Sequence, residues 1–275
     1  MRRSREVYHM NYSQPGLVLI LNNNNFRESP KRLGSEEDVR RLEYVFKSVL
    51  NFEVRTFKDK TYKETKEIIE NFAAEDFTKD SCLICFFMSH GNRNTFVTSD
   101  DNEILIDDLS GPFKRAKSLK NKPKLFFFQC CRGSEEMPQI DSRQRPSSGN
   151  HIHRDNASGN ISGVAETDGV PVEADVLYGY STVDKFYSYR DSRFGSWFIQ
   201  TICEIICKNP FIEIKVFINK INKRMKEREI VISEFRDHLV GDLYFKDPDK
   251  EPRNVKAFYI LQLQFFFIVV KFFFN

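Results

Sequence analysis

Two reactive side chains in this sequence stand where long apolar runs stop. Cys131 ends Leu125-Phe126-Phe127-Phe128-Gln129-Cys130-Cys131 and is followed by Arg132-Gly133, and His90 follows Cys82-Leu83-Ile84-Cys85-Phe86-Phe87-Met88-Ser89 and precedes Gly91. A thiolate attacks acyl carbon, and an imidazole manages the proton such an attack requires. Most buried cysteines are merely small hydrophobes, so position has to carry the argument. Each run reads as a strand apolar on both faces, as in the centre of a parallel sheet, where sites form at the carboxyl ends of strands. Two strands would thus each deliver half of a thiol and imidazole pair.

The chain has to supply a scaffold for that pair. Its 275 residues, 40% apolar, are enough for one large α/β domain or two small ones. The net charge of +3 is spread among interspersed acids and bases, which gives no footprint for nucleic acid. Met1-Arg2-Arg3-Ser4-Arg5-Glu6 has no apolar stretch behind it, so no secretory signal is expected and the compartment should be reducing, hence cytoplasmic. Cys82 and Cys85 form a C-x-x-C without a second pair, and Cys203 and Cys207 sit one helical turn apart; all four read as core rather than metal ligands or disulfides.

Alternation of strands and helices follows from the patterns. Strands are expected at 17–21, 52–57, 82–88, 125–129 and 176–180. Ser35 with Asp38, and Thr61 with Glu64, read as capping boxes. The first opens a helix carrying Val39, Leu42, Val45, Phe46, Val49 and Leu50, and the second opens one burying Ile68, Ile69, Phe72 and Ala73. Residues 196–207 form a densely apolar helix, and Pro210 starts another with Ile214, Phe217, Ile218, Ile221 and Met225 on one face. Such alternation predicts parallel crossovers and a doubly wound sheet. Residues 134–175 shift to Ser, Gly, Asn, Arg and Pro and read as a flexible linker. The apolar stretch from Phe258 to Phe274 has three readings: a buried or edge strand, a membrane tail, or a terminus carried over from misread coding sequence. Its uninterrupted length falls short of the roughly 20 residues a span needs, which argues against the membrane tail.

Gln129-Cys130-Cys131-Arg132-Gly133 differs at one place from the Gln-Ala-Cys-Arg-Gly signature of caspases, whose histidine lies roughly 50 residues upstream. The chain resembles the executioner caspases over residues 8–225. Arg32-Leu33-Gly34-Ser35-Glu36-Glu37-Asp38 is similar to the family's Arg-x-Gly-Thr-x-x-Asp, and the stretch from Tyr180 to Gln200 to its small-subunit substrate loop. The resemblance implies a three-layer α/β/α sandwich with a mostly parallel six-stranded sheet and helices on both faces. It divides the chain into a short N-terminal peptide (1–16), a large-subunit part (17–133), the linker (134–175) and a small-subunit part (176–275) that diverges from about 230. The family's final strand, through which members dimerise, is not recoverable there.

By the same resemblance, Cys131 is the nucleophile, His90 the acid and base, and the amides of Gly91 and Cys131 the oxyanion donors; no third triad member is evident. Arg32, Gln129 and Arg190 match the S1 subsite for an aspartate before the scissile bond, Tyr187, Ser188 and Tyr189 the adjoining substrate loop, and Trp197 an aromatic near S4. Asp191 stands where the family has Asn, which predicts that an acidic P4 residue is disfavoured. Cys130 beside the nucleophile reads as an inert neighbour, with an oxidative adduct as the alternative. Ala165-Glu166-Thr167-Asp168-Gly169 resembles a processing site, cut after Asp168. The implied protein is an apoptotic executioner needing no cofactor or metal, cutting protein substrates after Asp, activated by an upstream initiator caspase, homodimeric, and open to inhibitor-of-apoptosis proteins. The alternative is a catalytically weak decoy that pairs with a true caspase; a legumain-like relative would not explain the paired arginines.

Overall fold

The computed structural model describes residues 6–133, 135, 171–228 and 231–250. In chain order the elements are β1 (Leu17–Asn22), α1 (Ser35–Glu43) running into a π-helical turn (Tyr44–Val49), β2 (Glu53–Lys58), α2 (Tyr62–Ala73), β3 (Leu83–Met88) and the short strands β4 (Gly91–Asn92), β5 (Thr95–Val97) and β6 (Glu103–Leu105). There follow α3 (Ile106–Arg115), β7 (Lys124–Gln129), β8 (Val176–Tyr180), β9 (Arg190–Asp191), β10 (Gly195–Ser196), α4 (Trp197–Lys208), α5 (Ile214–Glu227) and β11 (Glu234–Asp237).

The main sheet has six strands in the order β11-β8-β7-β3-β1-β2. All pairings are parallel except β11 with β8, which is antiparallel. Side chains alternate across a strand, so each uninterrupted apolar run feeds two cores at once. Ile84, Phe86, Leu125 and Phe127 face one side, with α1, α4 and α5; Leu83, Cys85, Phe87, Phe126 and Phe128 face the other, with α2 and α3. Matching register stacks Phe86 on Phe127 at 4.9 Å and Phe87 on Phe128 at 5.1 Å between ring centroids. Each of these fully buried rings contributes about 1.5–3 kcal/mol of transfer free energy. That is why β3 and β7 form the rigid centre beyond whose ends His90 and Cys131 lie.

The Thr61 capping box on α2 is present, with side chain and backbone satisfied in both directions. The one expected at Ser35 is not: Gly34, at φ 88°, occupies the cap position without a side-chain bond, and Asp38 turns away from the helix end toward Ser196. A stronger tertiary partner outcompeted the local one. α5 begins at Ile214 rather than at Pro210, because the Glu213 carboxylate caps it by accepting from Lys215 N and Val216 N. Helix α3, packed on α2 and β7, and the three-stranded β4-β5-β6 sheet, which meets β3 through Phe96 on Phe87, were not anticipated. The sheet's last strand, illegible as a pattern, is Glu234–Asp237, whose half-exposed polar residues carry no period-two signal. The linker with Asp168 and the Phe258–Phe274 tail lie outside the described residues.

Candidate active site

In the order β2-β1-β3, the chain leaves β1 for one neighbour and later returns on its other side, so the loops after β1 and β3 part above the sheet. Crevices at such reversals are where open α/β folds bind ligands. The loop after β1 carries Arg32, that after β3 carries His90, and the end of neighbouring β7 carries Cys131. Met88 pairs with Gln129 in register, so His90 and Cys131 each lie two residues beyond a paired position on adjacent strands. Ser89 N donates to Gln129 O at 3.2 Å, which keeps the two strand ends together past the ladder.

His90 is buried. Its Nε2 lies 2.7 Å from the carbonyl oxygen of Pro30, and the Phe26 ring covers it at 4.5 Å. A carbonyl only accepts, so Nε2 bears the proton, and in the neutral ring Nδ1 is then the basic nitrogen. The Pro30 carbonyl thus orients the His90 ring, a contact that side-chain patterns could not reveal, because a backbone oxygen has no residue signature. Its loop is pinned by two aspartates. Asp59 accepts from Asn24 N and Asn25 N, and Asp101 accepts from Glu28 N at 2.7 Å and Ser29 N at 3.1 Å.

Cys131 is fully buried and its sulfur meets Ser188: Ser188 N donates to Sγ at 3.1 Å. Ser188 also accepts, through Oγ, from Gln129 Nε2 at 2.6 Å. The Gln129 amide, expected to face substrate, is spent here on the substrate loop. Gly91 lies beside this pair, and a Cβ there would sit 2.5 Å from Thr95 O and 3.0 Å from Cys130 Cβ, so the backbone approaches closely only because the side chain is missing. Cys130 is buried next to it. Arg132, read from sequence only as part of the motif, is buried too; it pairs with Glu234 on β11 and lies over the Tyr180 ring at 4.2 Å, tying the Cys131 segment to the sheet edge.

Arg32 and Arg190 converge from distant parts of the chain and are both buried. Arg32 Nη1 donates to Asn23 O at 2.8 Å, and Arg190 Nε donates to Leu33 O at 2.9 Å, so the second guanidinium is anchored on the residue beside the first. Buried guanidinium groups need a counter-charge nearby. Asp38, completely buried, feels both of them, yet burial still pushes its carboxyl up to about 7. Tyr189 stacks on Trp197 at 6.0 Å, and Arg228 lies 5.5 Å from the Trp197 ring. Tyr187 is half-buried, and its N donates to Glu135 O at 3.1 Å. The Asp191 carboxylate accepts from Arg193 N and Phe194 N within its own turn.

The other cysteines are core. Cys82, Cys85, Cys203 and Cys207 are buried and unbridged, and burial raises their thiols far from reactivity, Cys207 to about 12 and the other three also upward. None is placed for chemistry.

A family model described as a caspase domain matches residues 15–244. Caspase-3 of Bos taurus is 34% identical over 80% of this chain and 76% of its own length, and caspase-3 of Felis catus 36% over 79% and 75%. Caspase-7 of Gallus gallus is 33% identical over 78% of this chain and 68% of its own. The match runs past β11, so the sheet's last strand falls within the shared domain. By fold, by family match and by these relatives, the chain belongs to the caspase family, among its executioner-type members.

Proposed function

We propose that this chain is a cysteine endopeptidase that cuts protein substrates after aspartate, an apoptotic executioner held as a zymogen until cleavage after Asp168. The observation that carries the reading is convergence: Arg190 is hydrogen-bonded to the carbonyl of Leu33, the neighbour of Arg32, across the linker, while His90 and Cys131 lie just beyond the paired ends of adjacent strands. Planar guanidinium pairs recognise a carboxylate in two-point fashion that lysine cannot match.

The residues divide the work. The Cys131 thiol gives its proton to His90 Nδ1, the ring being oriented through Nε2–H to Pro30 O, and the resulting thiolate attacks the carbonyl carbon; the C–N bond breaks as His90 returns that proton to the leaving amine, and water then hydrolyses the thioester and restores the thiol. The amides of Gly91 and Cys131 take the oxyanion. Tyr187, Ser188 and Tyr189 line the substrate loop, with Trp197 toward S4. Burial of Cys131 under Ser188 in the uncut chain fits a form that substrate cannot yet enter. Strand β11 ends the sheet, and a second copy pairing along it gives the homodimer. An initiator caspase as activator, inhibitor-of-apoptosis proteins as antagonists and a cytoplasmic setting belong to the same reading.

The test is purified protein, cut at the linker, offered fluorogenic peptides ending in Asp, Glu or Arg, beside Cys131→Ala. Selective turnover of the Asp peptide, lost in Cys131→Ala, supports the reading. A correctly cut and folded protein that turns over none of them leaves the regulatory decoy in its place.

A further inference from the structure

Asp38 is the buried carboxylate closest to the specificity slot, and nothing in the mechanism above uses it. Its Oδ1 accepts from Ser196 N at 2.8 Å and its Oδ2 from Ser196 Oγ. Ser196 is the residue directly opposite Arg190 in the two-residue ladder of β9 and β10, with Gly195 opposite Asp191. The other side of this contact is tied as well. Arg190 Nε donates to Leu33 O, and a Cβ on Gly34 would fall 2.3 Å from Asp191 O. Gly195, at φ 81°, leaves room for the carboxylate, since a Cβ there would meet Asp38 Oδ1 at 2.3 Å. Asp38 and Ser196 are 158 residues apart and lie on opposite sides of the linker.

We propose that Asp38 is the positioning residue of the specificity slot: by gripping Ser196 it fixes the strand that carries Arg190 against the segment that carries Arg32. The inference rests on the aspartate-directed reading above and adds to it a residue that touches no substrate. The geometry has a direct consequence. Arg32 lies six residues before Asp38, in the loop that leads into the same helix, so the distance between the two guanidinium groups is set by the bonds to Ser196 as well as by Leu33 O. Those bonds also persist without the peptide chain between the halves, which a cleaved enzyme requires.

Asp38→Ala removes both bonds, while Asp38→Asn keeps them, with its oxygen accepting from Ser196 N and its amide donating to Ser196 Oγ. The linker-cut protein is titrated with a tetrapeptide aldehyde ending in aspartate, read through the fluorescence of Trp197, the chain's single tryptophan and the neighbour of Ser196. Turnover of the matching substrate is measured in parallel. Asp38→Ala should weaken binding and raise KM at least tenfold with kcat within about threefold, and Asp38→Asn should restore both to within about threefold. If Asp38→Ala does not fold, Ser196→Ala decides, with an expected loss of about threefold to tenfold. A folded Asp38→Ala that binds like the parent, an Asp38→Asn as weak as Asp38→Ala, or an unchanged Ser196→Ala overturns the proposal. Parent protein that binds the aldehyde but cuts nothing sinks the peptidase reading alone; parent that does not bind it sinks both.

Discussion

Replacing Asp38 by Asn has a consequence for stability that can be worked out from its surroundings. Burial raises the Asp38 carboxyl from 3.8 to about 7, the opposing pull of Ser196, Arg32 and Arg190 notwithstanding. The folded chain therefore holds a proton there over a range where the unfolded chain has released it. Stability from this group is fully present below pH 3.8 and is lost as pH rises through about 7. A gap of roughly three units corresponds to about 4 kcal/mol across that window. Asn does not titrate, so the difference in unfolding free energy between parent and Asp38→Asn should move by about 4 kcal/mol in favour of the variant between pH 4 and pH 8. Both are made in a Cys131→Ala background to prevent self-cleavage. Urea unfolding at half-unit pH steps, followed by Trp197 fluorescence and circular dichroism, measures it, and taking the difference cancels groups common to both. A difference that stays flat within 1 kcal/mol, or that moves in favour of the parent, would refute the argument that Asp38 is an ionisable group held at a cost in the fold.

Three further outcomes follow from other contacts. Asp101→Ala releases Glu28 N and Ser29 N just before Pro30, so kcat should fall ten- to a hundredfold with KM nearly constant, because a misplaced orienting carbonyl disturbs His90 and not the slot; steady-state kinetics on an Asp-ending peptide checks it. Gly195→Ala forces a Cβ into the left-handed region and against Asp38 Oδ1, which should lower stability by about 1–3 kcal/mol in urea unfolding and weaken aspartate binding together. Asp191→Asn should raise the cleavage of acidic-P4 over apolar-P4 peptides by a few fold, the effect being small because Asp191 is partly solvated and screened; an unchanged ratio in paired peptide assays counts against the P4 assignment.

Legibility tracked the kind of interaction involved. The strands at 82–88 and 125–129 could be read because burial on both faces demands apolar residues at every position, and the ladder then found them in register. The Thr61 box was equally visible, since both its partners are local. Asp38 shows where local reasoning stops. The pattern Ser35-x-x-Asp38 is a sound capping signal, but a carboxylate excluded from water takes the best donors within reach, and those belong to a residue far along the chain. β11 was hidden because a four-residue edge strand with Phe235 alone among polar, half-exposed neighbours carries too little apolar alternation to announce it.

Composition and motif by themselves determined the α/β class and the kinship, and singled out His90, Cys131, Arg32 and Arg190 as candidates, because each depends on residue type at short spacing. Tertiary structure alone decided that Pro30 holds His90, that Ser188 covers Cys131, and that Asp38 joins the two arginine-bearing segments. Backbone carbonyls and amides are the same at every position, so the sequence carries no mark of which will be used. Only the folded path of the chain brings one of them within 3 Å of a particular side chain.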